Sequence, residues 1–130
     1  MQSCAQIRVM IVTDQPIMRD GLRLRIERER DLWVVCEASD LTQAIRDVIG
    51  CRPDLVVIDL QLPSGEDLRA IKALDSLSPD TPMVVLADYP IDFAAKLLPR
   101  RAPLVAVSKI VTGYEVINAI REAIVKTQGH

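Results

Sequence analysis

The residues of this sequence placed to do chemistry are the polar ones that end its short apolar runs. Ile7-Arg8-Val9-Met10-Ile11-Val12 runs into Thr13 and Asp14, and Leu55-Val56-Val57-Ile58 ends at Asp59. Met83-Val84-Val85-Leu86-Ala87 leads to Asp88, and Leu104-Val105-Ala106-Val107 is followed, past Ser108, by Lys109. In an open parallel sheet, ligands bind beyond the carboxyl ends of the strands, near the point where the strand order reverses. With these runs as strands, the carboxylates of Asp14 and Asp59 and the ammonium of Lys109 converge on one edge. That makes a charged, polar site. The convergence alone is only moderately specific, because polar residues commonly lead strands into loops.

The elements that must position these groups follow from periodicity. The β-branched run Ile7–Val12 suits a buried strand. From Pro16 to about Glu29 apolar residues recur at Ile17, Met18, Leu22 and Ile26, close to helical spacing. Trp33-Val34-Val35-Cys36 reads as a second strand. Leu41, Ala44, Ile45, Val48 and Ile49 make a helical stripe with Asp40 or Ser39 as its N-cap. A third helix steps through Leu68, Ile71, Leu74 and Leu77 and closes at Pro79. A short one runs from Pro90 to about Leu98 and stops at Pro99. The last carries Val116, Ile117, Ile120 and Ile124, with Lys126 to His130 read as a frayed end or the start of a linker. Near-continuous apolar strands alternating with helices indicate a parallel sheet covered on both faces.

Length and composition limit what such a sheet can be. The 130 residues amount to one domain, long enough for a core without metal or disulfide staples. A net charge of -2 excludes a strongly basic nucleic-acid binder, and 3% aromatics leave no base-stacking platform. Cys4, Cys36 and Cys51 are too few and too scattered for a disulfide framework or zinc site. They are expected to be free thiols in a reducing cytosol, Cys36 and Cys51 as small buried hydrophobes. No run approaches a membrane span, and a cytoplasmic location is expected.

Three segments together resemble the receiver domain of bacterial two-component response regulators, over nearly the whole chain. They are Val12-Thr13-Asp14-Gln15-Pro16 with Gly21-Leu22, then Pro53-Asp54-Leu55-Val56-Val57-Ile58-Asp59-Leu60-Gln61-Leu62-Pro63, and Ser108-Lys109. Val34-Val35-Cys36-Glu37-Ala38 looks like the second strand of NarL/LuxR-type regulators, which carry a helix-turn-helix output domain. The resemblance implies a doubly wound (βα)₅, flavodoxin-like α/β fold with sheet order 2-1-3-4-5. It implies that Asp59 is the phosphoacceptor, taking a phosphoryl group from a histidine kinase or a small phosphodonor. Asp14, Asp59 and the main-chain carbonyl of Gln61 would hold Mg²⁺, and Lys109 would pair with the carboxylate and then the phosphoryl oxygens. The plainer alternatives are a strand-end carboxylate capping a loop at Asp59, a helix N-cap at Asp14 and a solvated lysine at Lys109.

Three positions depart from the family pattern. Thr13 stands where the family usually has a first acid, so a weakened Mg²⁺ site is expected. Ala87 replaces the Ser or Thr whose hydroxyl contacts the phosphoryl group. Ala106 replaces the Tyr or Phe that swings inward on activation. A phosphorylation-driven shift needs contacts that differ between two states, and both customary switch side chains are missing. Two readings stay open: an atypical receiver still modified at Asp59, or a degenerate pseudo-receiver acting as a phosphorylation-independent interaction or dimerisation module.

Other functions fit less well. A flavin or nucleotide binder of the same sheet order would want a Gly/Ser/Thr-rich loop where Thr13-Asp14-Gln15-Pro16 stands. A hydrolase with an aspartyl nucleophile would want an acid at Gln61. The chain is therefore read as no enzyme beyond phosphotransfer to its own Asp59. The arginines of the first helix, interleaved with Asp20, Glu27, Glu29 and Asp31, read as a solvated face laced with ion pairs. The stretch Ile91–Leu98 is apolar over too much of its circumference for a free surface helix. The resemblance implies a homodimer face made by it, the fifth strand and the last helix, the alternative being a short helix sunk into its own core. The receiver is expected to occupy 1–130, with about 6–126 structured. A DNA-binding output domain would lie beyond His130, and DNA contact would belong to it.

Overall fold

In a computed structural model, residues 6–60, 65–87, 101–108 and 113–128 are described. Five strands alternate with helices: β1 (Ile7–Val12), α1 (Pro16–Glu27), β2 (Leu32–Ala38), α2 (Leu41–Cys51), β3 (Leu55–Asp59), α3 (Gly65–Leu77), β4 (Met83–Ala87), β5 (Leu104–Ser108) and α4 (Gly113–Gln128). All pairings are parallel, in the order β2-β1-β3-β4-β5. The α/β fold and the 2-1-3-4-5 order expected from the sequence are the ones observed. The stretch Pro90–Leu98, expected as a short helix, lies outside the described residues.

Strand alternation divides the core in two. Met10, Val12, Val56, Ile58, Met83 and Val85 face α2 and α3 and pack with Ala44, Val48, Ile71 and Leu74. Val9, Ile11, Leu55, Val57, Val84 and Leu86 face α1 and α4 and pack with Ile26, Val116, Ile120 and Ala123. Side chains such as Ile26, Leu55 and Ile120 are wholly enclosed, each contributing about 1.5–3 kcal/mol by leaving water. With both faces covered, β3 has no polar residue until Asp59.

Helix starts follow local chemistry. Pro16 occupies the first turn of α1, where its missing N–H costs nothing. Asp40 is the N-cap of α2, its Oδ1 accepting from Gln43 N–H at 2.7 Å, while the Gln43 side chain reaches back to Ser39 N–H at 2.8 Å. That exchange is a variant of the capping box.

Several expectations need correction. Ile17 is 90% exposed and Ile49 is also exposed, so the apolar stripes of α1 and α2 are narrower than periodicity indicates; Trp33 on β2 is exposed as well. The last helix continues to Gln128, with Lys126 paired to Glu122 at 2.9 Å, because Ala123 and Ile124 still pack on the core. The arginine-rich face carries the expected local pairs, Arg23–Asp20 and Arg25–Glu29. Glu29 and Asp31 also reach across to Arg121 of α4. Cys36 and Cys51 are joined in a disulfide with Cα atoms 6.3 Å apart, which overturns the expectation of free thiols. Cys4 lies outside the described residues.

Candidate functional site

β1 and β3 lie side by side with Val12 opposite Ile58, so the residues one step further, Thr13 and Asp59, meet at the carboxyl edge of the sheet. Two backbone bonds fix these strand ends: Thr13 N–H donates to Ala38 C=O at 3.0 Å and Leu60 N–H to Leu86 C=O at 2.9 Å. Asp59 is only 8% exposed and Thr13 only 1%. A charge held that far from water requires polar company. The Thr13 hydroxyl supplies it, donating to Asp59 Oδ2 at 2.7 Å while accepting from Gln15 N–H at 3.2 Å. The Gln15 amide takes a hydroxyl lone pair, so the hydroxyl proton is directed to the carboxylate.

A small cavity of about 130 Å³ opens over this pair, lined by Val12, Thr13, Asp14, Ser39, Asp40, Leu41, Asp59 and Leu60. The loops after β1 and β2 form its walls, and β3 provides Asp59 at the base. Asp14 stands exposed at the rim. It is not the cap of α1, because Gln15 holds that position without a side-chain cap bond. Asp40 is a lining carboxylate that site reasoning missed, although Asp40 and Gln43 at capping spacing were visible in the sequence.

Carboxylate and hydroxyl oxygens give this cavity the donor chemistry of a hard cation. Among the described residues no three His, Cys, Asp or Glu side chains are grouped as a metal cage, and the Asp40 carboxylate is engaged in capping. Asp14, Asp59 and the Thr13 hydroxyl are among the remaining oxygen donors at the cavity.

The other expected positions divide. Ala87 ends β4 within the core at 3% exposure and offers no hydroxyl. Ala106 lies on β5 opposite Val85 and is exposed, with no ring to swing. Gln61, Asp88 and Lys109 lie outside the described residues.

Comparison with known proteins agrees with the geometry. The family model for the response regulator receiver domain matches residues 9–121. The chain is 35% identical over 83 residues to the uncharacterized transcriptional regulatory protein YhcZ of Bacillus subtilis, a match covering 64% of this chain and 39% of that protein. It is 29% identical over 116 residues to the DNA-binding transcriptional activator DevR/DosR of Mycobacterium tuberculosis, covering 89% of this chain and 54% of that one. A solved two-component response regulator of the LuxR family from an Aurantimonas species superposes with TM-score 0.79 at 29% identity, covering 97% of this chain and 88% of that one. The chain thus spans about half or less of these two regulators' length.

Proposed function

The chain belongs to the response regulator receiver-domain family, and on that premise we propose that Asp59 is its phosphoacceptor in a two-component phosphorelay. Its relatives are NarL/LuxR-type regulators. Receiver domains of such regulators are generally non-enzymatic and take their phosphoryl group from a histidine kinase or a small phosphodonor. The observation that carries the reading is the placement of Asp59: one nearly buried carboxylate at the end of the central strand, facing a cavity of about 130 Å³.

A carboxylate oxygen of Asp59 attacks phosphorus, and the bond from phosphorus to the donor's nitrogen or oxygen breaks with its electron pair leaving on the donor. The product is an acyl phosphate on Asp59. Thr13 holds Oδ2 by its hydroxyl and so orients the carboxylate before attack. Asp14 and Asp59, with the Gln61 main-chain carbonyl, are the groups assigned to Mg²⁺. When bound, the ion offsets the charge that carboxylate and phosphoryl oxygens bring together. Thr13 brings a dipole where an acid would bring a charge, which lowers affinity for the ion. Lys109 is assigned the point charge facing the phosphoryl oxygens.

The regulated output is proposed to be a LuxR-type helix-turn-helix domain following this one in a longer protein, acting in the cytoplasm, with DNA contact confined to it. Homodimerisation through β5, α4 and the segment before β5 is part of the same proposal. No helix among the described residues is long and apolar enough to cross a membrane.

Intact mass after incubation with Mg²⁺ and acetyl phosphate tests the central step, beside an Asp59→Asn control. A phosphoryl-sized gain that the control lacks is expected. No gain at high donor and metal would overturn phosphoacceptance and leave a binding module.

A further inference from the structure

We propose that Cys36 and Cys51 form a reversible thiol–disulfide site, independent of the acidic pocket, that fastens the last turn of α2 to the edge strand β2. The pairing is built into the sheet. Between β1 and β2 the register runs Val9 to Val34 and then Met10 to Cys36, leaving Val35 as an extra residue on β2. Regular alternation would put Val34 and Cys36 on one face. With the extra residue, Val34 packs among the α1 and α4 side chains, whereas Cys36 packs on the α2 and α3 side. The bulge turns Cys36 toward Cys51, the final residue of α2.

The surroundings favour exchange over a permanent bond. Cys36 is part exposed and lies on an outer strand of the sheet, whereas Cys51 is buried, so an incoming thiolate meets Cys36 first. Arg8 of β1 reaches the end of α2, its Nη2 donating to Cys51 C=O at 2.6 Å and its Nε to Arg52 C=O at 3.0 Å. These bonds tie β1 to the end of α2 and hold Cys51 against the sheet. Two continuous apolar clusters hold the fold together on either side of the sheet, so reduction leaves the two thiols in place to close again.

The exchange partner is a low-molecular-weight thiol. Its thiolate attacks Cys36 Sγ, the S–S bond breaks, and the electron pair leaves on Cys51 Sγ, which takes up a proton. A second thiolate attacks the mixed disulfide and releases Cys36 as the thiol together with the small molecule's own disulfide. Two electrons and two protons enter the protein, and the reverse sequence closes the bond.

The test uses the full chain as Cys4→Ser, equilibrated with glutathione at graded ratios of reduced to oxidised form. Samples are quenched with an alkylating agent and read by intact mass. Both cysteines should become alkylated together as the ratio rises and return to the unalkylated disulfide when it falls. On reduction, hydrogen exchange in α2 should rise while that in β3 stays slow. Resistance to alkylation at every ratio until the chain is denatured would overturn the proposal in favour of a permanent staple. Full alkylation in oxidised glutathione would overturn it by showing that the bond does not close.

Discussion

Two aspartates bracket β3, and they differ in everything but chemistry. Asp54, just before the strand, is exposed, and its Oδ2 accepts from Arg8 N–H at 2.8 Å while its own N–H donates to Arg8 C=O at 2.7 Å. Asp59, at the other end, is nearly buried and bonded to a hydroxyl. The hollow beside Asp54 is the larger, about 490 Å³ against about 130 Å³, and is lined by residues including Gln6, Pro53, Asp80 and Thr81. Its second acid, Asp80, is exposed and paired with Arg101 at 2.8 Å. Size therefore does not locate the site. In a parallel sheet the amino end of a central strand offers its side chains to solvent and to strand-capping backbone. The carboxyl end, where crossovers lead away to both sides, leaves a recess in which a carboxylate stays dry and pointed at a ligand.

The contrast predicts unequal responses to matched substitutions. Asp59→Ala should abolish phosphoryl uptake from acetyl phosphate, whereas Asp54→Ala should leave the uptake rate unchanged and cost about 1 kcal/mol of stability by denaturant titration. Equal loss of uptake in both would erase the distinction between the two ends. Next in size is Thr13→Asp, which replaces the hydroxyl with a charge. Mg²⁺ affinity by calorimetry should rise about tenfold, roughly 1.4 kcal/mol, and an unchanged affinity would remove Thr13 from the metal site.

Asp40→Ala sharpens the comparison at the rim, removing the cap of α2. A loss of about 1 kcal/mol is expected from its urea midpoint, with α2 fraying at the pocket end. The smallest effect belongs far from the pocket, at the pairing of α4 with the turn before β2. Arg121 donates to Asp31 Oδ1 at 2.8 Å and to Glu29 Oε1 at 3.0 Å. The hydrogen bond from Arg121 holds the Asp31 carboxyl below its ordinary value, against the opposing effect of partial burial. A depressed folded-state pKa means the pair stabilises above the unfolded carboxyl's pKa, and that this stabilisation is lost as pH falls through the lowered one. With both side chains about a third exposed, screening limits it to about 0.5–1 kcal/mol. Asp31→Asn should show that deficit at neutral pH and match the parent in acid, as read from thermal midpoints at a series of pH values. A deficit independent of pH would assign it to packing.

Much of this is legible in the amino-acid sequence. Runs such as Leu55–Ile58, short, apolar at every position and rich in β-branched residues, read as strands covered on both faces. Asp59 stands out because it ends the most continuous of them. The start of α1 is marked by Pro16 and that of α2 by the capping residues Ser39 and Asp40, of which the structure uses Asp40. Less legible was how far each apolar stripe is used. Ile17 and Ile49 sit at helical spacing yet remain exposed, because periodicity records a face without recording how wide a surface meets it.

Local sequence thus determined which elements form, their parallel arrangement and the polar residues at the carboxyl ends, since backbone propensity and side-chain periodicity act over a few neighbours. Only the tertiary structure decided the pairings between residues far apart in the chain. Thr13 gives its proton to Asp59 because β1 and β3 are adjacent and in register. Cys36 meets Cys51 because one extra residue in β2 turns it to the other face. Arg8 reaches the end of α2 because β1 passes beneath it. Each depends on register across the sheet, which the packing of all five strands settles together.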